Sequence, residues 1–83
     1  MRHSPYTHDY TALRAWLKAQ REAKGMTMRQ AGDCVGRHHS IIGKLEQDRR
    51  RIDIVEFVDY CICLGLDPHE GLDVLIRAHK KQR

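Results

Sequence analysis

Residues 28–47 read "MRQAGDCVGRHHSIIGKLEQ". The spacing predicts two short helices hinged at a glycine. Thr27, just ahead, and Gln30, three residues on, form a capping box that satisfies open amides at a helix start. A helix therefore begins at Met28 and runs to about Val35. Gly36 ends it, at a turn where left-handed backbone is easy only for glycine. A second run opens near His39 and reaches about Gln47, with Ile41, Ile42 and Leu45 as its apolar residues. Ala31, Val35, Ile42 and Leu45 stand where two steeply crossing helices must pack. Gly32 costs roughly 1 kcal/mol relative to alanine inside a helix, a cost that makes sense if the next helix crosses at close range. The pattern is a helix-turn-helix.

Outward from this pair the chain stays helical. Before it, Tyr10, Leu13, Trp16 and Leu17 share one stripe of a helix over 9–24, which Gly25 stops. After it, Asp53 and Glu56 form another capping box. They open a helix through Leu64 that carries Ile54, Phe57, Val58, Cys61 and Leu64 and stops at Gly65. Asp67, Pro68 and Glu70 then supply an N-cap, an N1 proline and an acidic third position, and a fifth helix runs towards Lys80. No stretch alternates as a strand. The expected architecture is all-α with five helices. Residues 1–8 form a polar tail, 9–80 the helix-turn-helix domain, and 81–83 a basic tail.

Eighty-three residues make one small domain with little spare stability. Fifteen Lys and Arg against eleven Asp and Glu leave a net charge of +4, which suits a phosphate-rich partner without requiring one. Three cysteines, Cys34, Cys61 and Cys63, form no disulfide framework. No apolar stretch has the length of a signal peptide or a membrane span. The expectation is a reduced, cytoplasmic protein with no membrane partner.

The stretches "LKAQREAKGMTMRQAGDCVGRHHSIIGKLEQ" and "FVDYCICLGLDP" resemble the lambda-repressor-like, or Cro/cI-type, helix-turn-helix family over roughly residues 10–76. The "REAKGMT" start, the turn glycine, the "KLE" close and the "LGLDP" exit keep family spacing. Met28, Arg37 and Asp48 depart from it, standing where the family usually has glutamine, an apolar residue and glycine.

The resemblance implies a DNA-binding transcriptional regulator of repressor or controller type, whose 39–47 segment lies in the major groove. By position, His39, Ser40, Gly43 and Lys44 then face the bases, and Lys44 can donate to guanine O6 and N7. His38 at the cap, Arg29 on the preceding helix, and Arg49, Arg50 and Arg51 beyond the segment are matched to phosphates. Arg21 and Glu46 match a structural ion pair. One small domain reads few base pairs, so a homodimer on a palindromic operator is expected. Its interface is assigned to Leu66, Leu72, Val74, Leu75 and Ala78. Leu72, Leu75 and Ile76 form one stripe of the last helix, with Val74 and Ala78 to another side.

Other chemistries fit poorly. A structural zinc site shows ligands paired two to four residues apart, whereas Cys61 and Cys63 point to nearly opposite sides of a helix. Both cysteines replace small or apolar residues, which reads as buried free thiols. A small helical chain offers no evident cleft or oxyanion hole for the Cys34, His38 and His39 group, so no catalytic residue is assigned. No metal, cofactor or small-molecule ligand is expected. The rival function is a protein-binding adaptor or antitoxin-type module of the same fold. Such a module would carry exposed apolar residues on the 39–47 segment, where Ile41 is the sole candidate.

Overall fold

The computed structural model describes residues 8–35, 46 and 52–81. Among them the chain is all helical, in the order α1 (His8–Ala23), α2 (Met28–Cys34), α3 (Ile54–Leu64) and α4 (Pro68–Lys81). These are four of the five expected helices. The expected 39–47 helix lies outside the described residues except for Glu46, which is helical. α1 begins one residue before its predicted start, and α4 runs through Lys81, the first residue of the predicted basic tail.

Local chemistry sets the helix ends. The Thr27 hydroxyl accepts from the Gln30 amide at 3.1 Å, and the Gln30 side chain accepts from the Thr27 amide at 2.8 Å. The Asp53 carboxylate accepts from the amides of Val55 and Glu56 at 2.9 and 3.0 Å. Asp67 does the same for His69 at 2.9 Å, ahead of Pro68. Gly65 closes α3 with φ at 71°, and its amide points back to the carbonyls of Cys61 and Ile62.

The core is built from Leu13 and Leu17 of α1, Ala31 of α2, Phe57, Tyr60, Cys61 and Leu64 of α3, and Leu66. Fully burying a large apolar side chain stabilises by about 1.5–3 kcal/mol. Trp16 is half-buried at its margin. Phe57, Tyr60, Cys61 and Leu64 follow helical spacing and bury one face of α3. Ile54 was expected with them. It sits at the stripe's edge, in the first turn, and is exposed.

α1 makes its main packing contact with α4. Gly71 permits the close approach. A Cβ there would stand 2.8 Å from both Phe57 Cζ and Trp16 Cζ3. At the start of α1, His79 Nδ1 of α4 meets Asp9 Oδ2 at 3.0 Å, joining residues at opposite ends of the described chain. One turn on, the Arg14 guanidinium lies 5.1 Å from the Tyr10 ring centroid, a cation–π contact.

Candidate nucleic-acid interface

Arg21 is buried in the last turn of α1. Its Nε donates to Glu46 Oε2 at 2.8 Å and its Nη2 donates to Glu46 Oε1 at 3.0 Å. The Tyr60 hydroxyl of α3 donates to the same Oε2 at 3.0 Å. Arg21 Nη1 donates to the Met26 carbonyl at 2.7 Å, which ties the α1–α2 connection into the network. The Arg21 and Glu46 side chains are 8% and 2% exposed, so little solvent screens the pair. The bond to Glu46 raises the Arg21 pKa above its ordinary value despite burial. Burial, with the Glu46 charge beside it, drives the Tyr60 phenol well above its ordinary value.

The network fixes one residue, Glu46, near the end of the 39–47 segment, against both α1 and α3. Arg21 and Glu46, matched as a pair through family resemblance, are thus brought together across 25 residues of chain. Tyr60 was not anticipated, although a signal existed. It falls on the buried stripe of α3, and a buried phenol must find a hydrogen-bond partner.

Arg29 is exposed in the first turn of α2, beside the half-buried Met28. Gly32 is buried on the same helix. The residues matched to DNA bases, His39, Ser40, Gly43 and Lys44, lie outside the described residues. So do His38, Arg49, Arg50 and Arg51, matched to phosphates, and the turn glycine, Gly36.

On the side assigned to dimerisation, Leu66 and Ala78 are 9% and 5% exposed. They spend their surface within the chain itself and have little to offer a second copy. Leu72, Val74 and Leu75 are half-buried, with Leu72 and Leu75 packed against the core. Ile76 is 48% exposed. A groove of about 350 Å³ runs beside it, lined by Asp9, Leu75, Ile76, His79 and Lys80.

The cysteines divide. Cys61 is buried, and burial pushes its thiol up to about 11. Cys63 was expected to be buried and is exposed, because a residue two positions on stands almost opposite on the helix. Cys34 is also exposed. No three His, Cys, Asp or Glu side chains converge as a metal site among the described residues, and no helix there is long and apolar enough to cross a membrane.

This arrangement is similar to that of solved structures. An XRE-family like protein from Pseudomonas syringae pv. tomato is 36% identical with a TM-score of 0.76, over 83% of this chain and 84% of that one. The clp gene regulator ClgR from Corynebacterium glutamicum is 24% identical with a TM-score of 0.71, over 80% of this chain and 86% of its own. The restriction-modification controller protein C.AhdI from Aeromonas hydrophila is 23% identical with a TM-score of 0.68, over 74% and 92%. At such identities the last two are alike in fold alone. No family model and no curated protein matches the sequence.

Proposed function

This chain belongs to the XRE family, and from that premise we infer that it binds double-stranded DNA and regulates transcription. Its 39–47 segment enters the major groove, with His39, Ser40, Gly43 and Lys44 toward the bases. Arg29, His38, Arg49, Arg50 and Arg51 grip phosphates on either side. It acts by occupying an operator, with no chemical step and no cofactor. Two copies related by a two-fold axis read a palindrome, meeting through the exposed side of α4 around Leu72, Val74, Leu75 and Ile76.

The observation that carries this reading is the anchored Glu46. Glu46, near the end of the 39–47 segment, is held to α1 by Arg21 and to α3 by Tyr60. Reading base edges needs such a rigid mount, since contacts must be placed to within a fraction of an ångström. The exposed Arg29 and the net charge of +4 point the same way.

One observation favours a protein partner instead. Ile54, Val55 and Ile62 of α3 are large, apolar and exposed. Selection from a random DNA pool, followed by gel shift of the selected site at two salt concentrations, decides between the readings. Enrichment of a palindrome, bound more weakly at the higher salt, supports the regulator. No enrichment, and no binding at the lower salt, overturns it in favour of the protein-binding module.

A further inference from the structure

We propose that Cys34 and Cys63 form a reversible oxidation site, joined by a disulfide when the chain meets a hydroperoxide. Cys34 is the last residue of α2, and Cys63 lies in the last turn of α3. The two helices pack against each other. The Cys34 thiol donates to the backbone carbonyl of Cys63 at 2.9 Å, and the two side chains also interact directly. Both residues are exposed, so a small oxidant reaches them. The third cysteine is excluded by position, since Cys61 faces the core from the other side of α3.

The Cys63 thiol is raised above its ordinary value, first by loss of hydration and then by Cys34 and Asp59. That slows attack, because the thiolate is the nucleophile.

The step balances. One thiolate attacks the terminal oxygen of the hydroperoxide ROOH and breaks the O–O bond. It becomes a sulfenic acid, and RO⁻ leaves to take that thiol's proton as ROH. The second thiolate attacks the sulfenic sulfur and forms the S–S bond. Hydroxide leaves and takes the second proton as water. The two sulfurs lose two electrons between them and the peroxide gains two. The bond joins residues 29 positions apart. Its ring encloses both the 39–47 segment and Arg49, Arg50 and Arg51, so the redox state sets how firmly that stretch is tethered.

The test uses the whole reduced chain, a small excess of hydrogen peroxide, alkylation of remaining thiols and peptide mass mapping. None of these steps involves DNA, so the result stands apart from the proposed function. The expected product has the covalent mass of one chain less two hydrogens, with Cys34 and Cys63 peptides cross-linked and Cys61 alkylated after unfolding. Its Tm rises by about 20 °C, as the chain-entropy relation gives for a loop of this length, and returns on reduction by a dithiol. Cys34→Ser and Cys63→Ser each abolish the cross-link. The proposal is overturned by a bridge that uses Cys61, by a bridge between chains, by sulfinic or sulfonic acid on unbridged cysteines, or by three thiols still open to alkylation.

Discussion

Arg21 holds Glu46 through two parallel hydrogen bonds, at 2.8 and 3.0 Å, in surroundings almost closed to solvent. Burying two charges costs several kcal/mol per ion before their attraction offsets it, so removing one partner is worse than never having made the pair. Among the described residues, Arg21→Ala leaves the buried Glu46 carboxylate only the Tyr60 hydroxyl. We expect a loss of about 3–5 kcal/mol, read from urea unfolding. Tyr60→Phe removes one hydrogen bond and keeps the ion pair, at a cost near 1 kcal/mol. Equal losses for the two variants would show that the ion pair contributes no more than the phenol.

Gly71 tests the approach of α4 to its neighbours. Alanine gains up to about 1 kcal/mol in helix propensity, but its Cβ arrives 2.8 Å from Phe57 and Trp16. Trp16 is half-buried and can yield, whereas Phe57 is fully enclosed. Overpacking costs about 1–3 kcal/mol, so Gly71→Ala is expected to lower stability by roughly 1 kcal/mol net. A higher Tm for this variant would contradict the close packing.

Stability should fall as the solution becomes alkaline. Burial pushes the Cys61 thiol from its ordinary 9.0 up to about 11, and holds the Tyr60 phenol well above its ordinary 10.0. Above pH 9 the folded chain therefore holds more protons than the unfolded one, and the free energy of unfolding declines with pH. The contribution is fully present below pH 9 and is lost as pH climbs through the folded value. Urea midpoints at pH 8 and pH 10.5 measure the decline, and Cys61→Ala should make it shallower. A midpoint that rises with pH would reverse the assignment.

Lys44 and the arginine run should separate by sequence dependence. Lys44→Ala should cost about 1–3 kcal/mol on the selected site and much less on random DNA. Replacing two of Arg49, Arg50 and Arg51 by alanine should weaken binding to every DNA and lower the salt slope by roughly one unit per lost contact. Equal loss on both DNAs for Lys44→Ala would assign that residue to phosphate alone.

Ile76→Asp tests the dimer. The residue is half-exposed beside the groove that includes Asp9 and His79. A new carboxylate would be desolvated in a two-fold interface. Sedimentation at micromolar concentration should show a dimer for the parent chain and a monomer for the variant. A parent that sediments as a monomer, and binds one half-site as tightly as a palindrome, rules the interface out.

By itself the sequence determined the features that act over a few residues. The Thr27–Gln30 box, the Asp53 cap and the left-handed Gly65 are local, and each stands where composition and spacing predict it. The apolar stripes of α1 and α3 are local in the same sense, because helical periodicity carries them. The Arg21–Glu46 pair was legible only through family resemblance, since no local rule links residues 25 apart. Only the tertiary structure decided that Tyr60 completes that pair, that Asp9 meets His79 across 70 residues, that Gly71 lies between Trp16 and Phe57, and that Cys34 reaches Cys63. It also turned Leu66 and Ala78 inward and left Ile54 and Ile76 in solvent. The reason is geometric. Periodicity says which residues share a helix face, but what that face meets depends on how the helices cross, and crossing is set by packing the whole core at once.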